Sequence, residues 1–383
     1  MTKLALIGLG GIAQSVHLPV VQRNRSIVEL EAVVDLSAQR RSRFGSVYAA
    51  AQAFASVADL CEAISSGDVH IDVAILATGG LHTNDALRLI RAGVRVLVEK
   101  PLAYSHAELD RLEQGILELG RSPEQWLRVG YMKEHDPAVA AALPLLAEVS
   151  PRAVRIEVLH PADAKQLAFA KLTPPATDIP EGVLAPAREA FLTEIHAAIG
   201  EQPDWLRNLY TNVVLGSIVH DLALTRHLGF ELATVEFAVR RGTGFPGSVQ
   251  AVGRTRDDIP WLLDWHFVED YPEYRETIVV LHEQGQLSIE FGTPYVLNAP
   301  TVLEDWHSAP NAESVRSRRT WPQEEAFERE LHSLVGMVRD ESSTGSSIAA
   351  ARRDLRSAQE LWMACAHTAG STVDPACEAA REI

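Results

Sequence analysis

Over the first third of the chain, short runs that are apolar at nearly every position alternate with stretches of helical period. Residues 3–7 (KLALI) form the first run, which ends in Gly8, Gly10 and Gly11, and residues 12–22 suit a helix. Residues 30–34 repeat the strand pattern. Residues 58–64 suit a short helix, residues 70–77 (HIDVAILA) a strand, residues 84–92 a helix and residues 94–98 (VRVLV) another strand. Continuous apolar runs belong to strands covered on both faces, and strands alternating with helices predict right-handed crossovers and a parallel sheet. The expected fold class is therefore α/β, with an N-terminal doubly wound Rossmann sheet over residues 1–130.

Beyond residue 150 the texture changes. Residues 154–158, 234–239, 261–265, 276–281 and 286–290 read as strands separated by turns, with Glu283-Gln284-Gly285 as a hairpin connection. They predict an α+β domain over residues 131–383, built on a large, mostly antiparallel sheet. One face should pack on helices; the other, carrying some of Trp261, Trp265 and Phe267, would need a partner. Residues 161–205 hold Pro174, Pro175, Pro180 and Pro186 before an expected helix at 188–199. A lid, an interface arm and a passive insertion all fit this segment.

Composition narrows the function classes. Among 383 residues, 46% are apolar and 22% charged, enough for a sizeable core and two domains. The formal charge of -16 disfavours nucleic acid and anionic membrane surfaces as partners. No run reaches the roughly 18 apolar residues of a membrane span, and the N-terminus lacks a secretory signal. Cys61, Cys365 and Cys377 lie far apart without a C-x-x-C pair, so neither a disulfide framework nor a zinc site is expected. A cytoplasmic setting, and no metal, are the expectations.

The glycine spacing Gly8-x-Gly10-x-x-Ala13 is the G-x-G-x-x-A form of a dinucleotide fingerprint. Gly8 permits the sharp turn, Gly10 lets backbone approach a pyrophosphate, and Ala13 lets helix pack on strand; the first-turn N–H groups favour phosphate charge. Asp35 follows the second strand, 22 residues beyond Ala13, where a carboxylate accepts from ribose hydroxyls and repels a 2′-phosphate. NAD is the expected cofactor, with NADP possible because Arg40 and Arg41 lie close by. Ligands bind beyond the carboxyl ends of parallel strands, so Thr78-Gly79-Gly80 and Glu99-Lys100-Pro101 should share the crevice. The candidate cofactor-binding residues are Gly8, Gly10, Gly11, Ile12, Asp35, Leu36, Arg40, Thr78, Gly79, His82, Glu99 and Lys100.

A strand ending Val-Glu-Lys-Pro-Leu, about ninety residues beyond this fingerprint, resembles the glucose-fructose oxidoreductase and inositol dehydrogenase family, Gfo/Idh/MocA. The resemblance extends to residues 72–78 with His82, to Gly130-Tyr131 leading to Pro137, to 216–221 (GSIVHD), and to 327–331 before 349–361; residues 159–210 match poorly. It implies that Lys100 reaches the reacting carbon, where an ammonium stabilises a developing alkoxide. It also implies that His220 exchanges the hydroxyl proton, that Glu99 supports the lysine or the cofactor pocket, and that Pro101 fixes the turn. Tyr131, Lys133 and His160 are candidate substrate contacts beside Lys100 and His220. The family's open sheet face supports association, so a homodimer or homotetramer is expected.

Residues 216, 220, 224 and 227 share one helical face, which would leave Gly216 as open space one turn before His220. The resemblance is imperfect here. Many members carry Asp four residues before this histidine and again three after it, where this chain has Gly216 and Ala223. Asp221 is adjacent in sequence, but neighbouring helix residues do not face each other; His160 is another candidate to orient the ring. Arg316, Arg318 and Arg319 read as a solvated basic loop. The implied activity is an NAD(P)-dependent dehydrogenase or reductase acting on the CH–OH group of a sugar, cyclitol or related polyol. NAD-assisted elimination or glycosidic cleavage, and a non-catalytic dinucleotide-sensing regulator, are the alternatives.

Overall fold

The computed structural model describes residues 1–47, 51–242, 244–309, 313–339 and 344–381. They form two compact units. The first contains Met1–Gly130, Ala170–Ala197 and Phe327–Arg352; the second contains Tyr131–Phe169, Ala198–Ala326 and Arg353–Ile383. Compact units and chain order thus divide the protein differently, because two later segments return to the N-terminal sheet.

The first unit is built on strands β1 (Thr2–Ile7), β2 (Val28–Val34), β3 (Gln52–Phe54), β4 (Val73–Leu76), β5 (Arg95–Glu99) and β6 (Leu127–Gly130). All pair in parallel, in the order β3-β2-β1-β4-β5-β6. The order reverses between β1 and β4, the switch point at which such sheets bind ligands. Leu4, Leu6, Val73, Ile75, Val96 and Val98 are buried, as expected for strands covered on both faces. The helices Val57–Ser66, Thr83–Arg91 and His106–Glu118 supply the crossovers from β3 to β4, β4 to β5 and β5 to β6, and Ser56 and Ser105 cap two of them by accepting from Asp59 and Glu108 N–H.

The second unit is built on β7 (Pro151–His160), β8 (Leu232–Arg241), β9 (Ser248–Thr255), β10 (Pro260–Phe267), β11 (Arg275–His282), β12 (Gly285–Phe291), β13 (Val302–Ser308) and β14 (Ser314–Thr320). Their order is β14-β13-β12-β11-β7-β10-β9-β8, antiparallel except where β10 meets β7. The expected turn joins β11 to β12 in a tight hairpin.

Three expectations are corrected. Trp261 and Trp265 lie on the helix-covered face, fully buried, with indole N–H groups toward Thr225 Oγ1 (3.4 Å) and Ser217 Oγ (2.9 Å). The outer face instead carries alternate residues such as Leu262, Asp264 and His266. The arginine cluster is not in a loop but on edge strand β14, where Arg316 pairs with Glu304 at 2.7 Å. The helix expected at 188–199 starts earlier, at Glu181, with Pro186 near its beginning. No helix among the described residues is long and apolar enough to cross a membrane.

Candidate functional site

At the carboxyl edge of the parallel sheet the chain turns into loops after β1, β2, β4 and β5. After β1, Gly8 adopts φ +89°, and a Cβ there would stand 2.7 Å from the Ala77 carbonyl oxygen, so glycine is required by conformation and by space. Asp35, after β2, accepts from Leu9 N–H (2.9 Å) and Ser37 N–H (2.8 Å), and Gln14 donates to the Leu9 carbonyl (2.8 Å). The glycine loop is therefore fixed from both sides. Asp35 is almost wholly buried in this role, with Arg40 3.6 Å from its carboxylate and Arg41 donating to the carbonyls of Asp35 and Leu36.

After β4, residues 77–80 carry Thr78 and two glycines; after β5 come Glu99, Lys100 and Pro101, the Lys100–Pro101 peptide being cis. His82 is buried between these loops, its ring nitrogens facing the Thr78 carbonyl (2.7 Å) and the Pro101 carbonyl (3.1 Å). It staples one loop to the other. Glu99 meets His17 Nε2 at 2.8 Å, and His17 packs edge-on against Phe327. Burial pushes the Glu99 carboxyl up, but the His17 hydrogen bond and charge, then Lys100 and His82, outweigh it and hold the carboxyl below the ordinary range. An ionised Glu99 thus sits beside Lys100 in sequence and fixes the turn that carries it.

Within the second unit, Leu209–Ile218 is π-wound and runs into the α-helix Val219–His227. That wide winding displaces the simple i, i+4 relation: a Cβ at Gly216 would meet the Thr211 carbonyl oxygen at 3.3 Å, so the space before His220 is bounded rather than open. The His220 ring lies 6.3 Å from the Tyr131 ring, centroid to centroid. On the same helix Asp221 is buried beside Glu276. Burial, then the Glu276 charge, push its carboxyl well above the usual range, so it holds its proton far more tightly than a surface carboxyl. Glu276 also pairs with Lys133 and accepts from Tyr274 (2.5 Å). Lys133 and Tyr131 are both buried, Lys133 in this pair and Tyr131 against Asp354, whose Arg226 partner also binds Glu134. His160 rests among Trp265, Phe267 and Tyr274, with Nδ1 2.7 Å from the Pro161 carbonyl oxygen. Lys100 belongs to the first unit and His220 to the second.

Residues 2–121 match the model of a family described as an oxidoreductase family with an NAD-binding Rossmann fold. A curated inositol 2-dehydrogenase from Gluconacetobacter diazotrophicus is 32% identical over 136 residues, which span 35% of this chain and 37% of that protein. Residues 2–121 are therefore similar to the Gfo/Idh/MocA oxidoreductases, and the chain spans about a third of the length of that curated relative. Solved structures extend the likeness of fold over nearly the whole chain. A UDP-N-acetylglucosamine 3-dehydrogenase from Acidithiobacillus ferrooxidans superposes with a TM-score of 0.65 at 19% identity, covering 95% of this chain and 97% of its own. A putative myo-inositol dehydrogenase from Sinorhizobium meliloti gives 0.66 at 15%, covering 96% and 98%. A 3-ketoreductase from Actinomadura kijaniata, solved with NADP and TDP-benzene, gives 0.67 at 15%, covering 95% and 98%.

The loops at this sheet edge suit a dinucleotide. A Cβ at Gly10, Gly79 or Gly80 would meet nothing within 4 Å, leaving space along the sheet edge where backbone can approach a pyrophosphate. Three residues went unnoticed in the sequence. His17 stands in the buried run 15–18, where a polar side chain among apolar neighbours was the only signal. Glu276 lies in a strand, 143 residues from Lys133, with no local mark of its pairing. Asp178 lies 141 residues from its hydroxyl donor, Ser37.

Proposed function

We propose that this protein is an NAD(P)-dependent oxidoreductase acting on a CH–OH group of a polyhydroxylated small molecule, a sugar, cyclitol or related polyol. The observation that carries it is the Glu99–His17 pair, which anchors the turn bearing Lys100 on the same sheet edge as the open glycines of the dinucleotide loop. Gly8, Gly10, Gly11, Ile12, Asp35, Leu36, Arg40, Thr78, Gly79 and the Glu99-Lys100 turn would hold the cofactor or frame its pocket. When bound, it supplies a two-electron acceptor or donor at its nicotinamide ring. Lys100 places an ammonium where negative charge grows on the substrate oxygen, and His220 takes the hydroxyl proton in oxidation and returns it in reduction. Tyr131, Lys133 and His160 frame the second unit's contribution, with Lys133 and Tyr131 acting from buried positions. The inositol and nucleotide-sugar chemistry named for the relatives favours a ring polyol.

The test is Lys100→Ala, assayed with NAD and with myo-inositol and a sugar panel. Dinucleotide binding should persist while turnover falls by about two to four orders of magnitude, the range of a lost acid–base group; unchanged turnover overturns the assignment. NADH released in step with oxidised product separates simple dehydrogenation from an elimination that returns its electrons. We further infer that a second copy covers the outer face of the eight-stranded sheet; a sedimenting species of only 41.9 kDa would remove that claim.

A further inference from the structure

The returning segment of the first unit lies across the adenosine end of the dinucleotide fold. Leu172 Cδ1 would stand 3.5 Å from a Cβ at Gly11, and Thr173 exchanges two hydrogen bonds with Gln14, at 2.8 and 2.9 Å. Five residues on, Asp178 Oδ1 accepts from the Ser37 hydroxyl (2.6 Å) and Oδ2 from Gln39 N–H (2.9 Å). Between these two attachments Gly10 stays open, with nothing near a Cβ there. The segment crosses the loops without filling the pyrophosphate approach.

The groups that Asp178 engages are the ones a 2′-phosphate would use. On this fold the ribose hydroxyls are read at the tip of β2, and an extra phosphate there needs donors from the residues that immediately follow. In this chain those residues are Ser37, the start of the helix Ala38–Val47, and Arg40 and Arg41. Each is already committed. Ser37 and Gln39 serve Asp178, Ser37 Oγ also accepts from Arg40 N–H (3.1 Å), Arg40 faces Asp35, and Arg41 caps two backbone carbonyls. The Ser37 and Gln39 hydrogen bonds hold the Asp178 carboxyl below its ordinary range, so it is an anion at neutral pH.

We propose that Asp178 is a specificity-determining residue: its carboxylate takes the place of a 2′-phosphate on Ser37 and Gln39, so that the chain accepts NAD and refuses NADP. The proposal rests on the dinucleotide reading of the glycine loop. A 2′-phosphate would have to displace a negative carboxylate from its donors and then remain beside it. Asp35 would discriminate through one buried carboxylate; Asp178 adds a second, partly exposed one from an insertion, and removing it frees the serine hydroxyl, the helix N–H and room for the arginines to turn.

The experiment measures equilibrium binding of NADH and NADPH, by nucleotide fluorescence and calorimetry, to the wild-type chain, Asp178→Ala and Asp178→Asn. The wild type should prefer NADH. In both variants the NADPH affinity should rise by about tenfold or more, since like-charge juxtaposition is worth at least that much, while NADH affinity changes much less. Asn keeps the shape without the charge, so a gain in both variants assigns the effect to charge. An unchanged ratio of the two affinities in both variants, with NADH still bound, overturns the role of Asp178 and leaves the dinucleotide site standing. A wild type that binds neither nucleotide overturns both readings.

Discussion

Replacing Glu108 by Gln tests how the loop that carries Lys100 is held. Glu108 stands in the first turn of the helix His106–Glu118, where its carboxylate accepts from Thr83 Oγ1 (2.7 Å) and Tyr104 N–H (2.9 Å), joining residues 100–105 to the preceding crossover helix. Burial raises its pKa more than these hydrogen bonds lower it, to about 7. The rise from 4.5 to about 7, at about 1.4 kcal/mol for each pH unit, amounts to about 3 kcal/mol. Because the folded state binds this proton more tightly than the unfolded chain, the contribution is full below pH 4.5 and is lost as pH rises through about 7. Gln cannot ionise, but it has one oxygen for two donors, so it loses one acceptor at every pH, about 1–3 kcal/mol. The variant should be the less stable protein near pH 4.5 and should match or exceed the wild type near pH 8.5. Urea unfolding across this range, with amide exchange in helices Thr83–Arg91 and His106–Glu118 reporting on the local unit, measures the difference. A difference that stays constant with pH would refute the raised pKa and the reasoning from burial.

Two further substitutions probe the glycine loop and the buried network. Gly8→Ala should lose about 2–4 kcal/mol, from the positive φ and the contact with the Ala77 carbonyl, whereas Gly10→Ala should melt like the wild type yet bind NADH more weakly; calorimetry and nucleotide titration separate the two, and a stable Gly8→Ala would contradict the packing. Lys133→Met strands the Glu276 charge in the core and should cost about 3–5 kcal/mol, much of it recovered when Glu276→Leu is added; a single variant as stable as the wild type in urea would show that the pair is not the buried unit described.

The parallel sheet was legible because its strands are buried on both faces and leave unbroken apolar runs. Five of the described strands escaped notice because they are short or supply no such run. β3 has three residues with two of them exposed, β6 has only four with Arg128 among them, β9 reads SVQAVGRT, β14 reads SVRSRRT, and β13 mixes Glu304, Asp305 and His307 into its sequence. Glycine spacing and the Glu99-Lys100-Pro101 turn marked the dinucleotide side of the site, since each needs only a few consecutive residues. The partners of those residues were not marked. His17 reaches Glu99 across 82 positions, and Asp178 reaches Ser37 across 141. The face carrying Trp261 and Trp265 was assigned to the wrong side because alternation fixes which residues share a face but not which face meets helices.

The ends of the eight-stranded sheet have a bearing on how these molecules associate. An unpaired strand border is a template on which another chain can extend the ladder. Here one border, β14, bears Arg316, Arg318 and Arg319 within seven residues, and the other, β8, has two register breaks and ends in Arg240-Arg241. Charge at one margin and irregular pairing at the other oppose the growth of a continuous sheet through successive copies, so the protein can expose a broad β surface while guarding against fibril-like stacking.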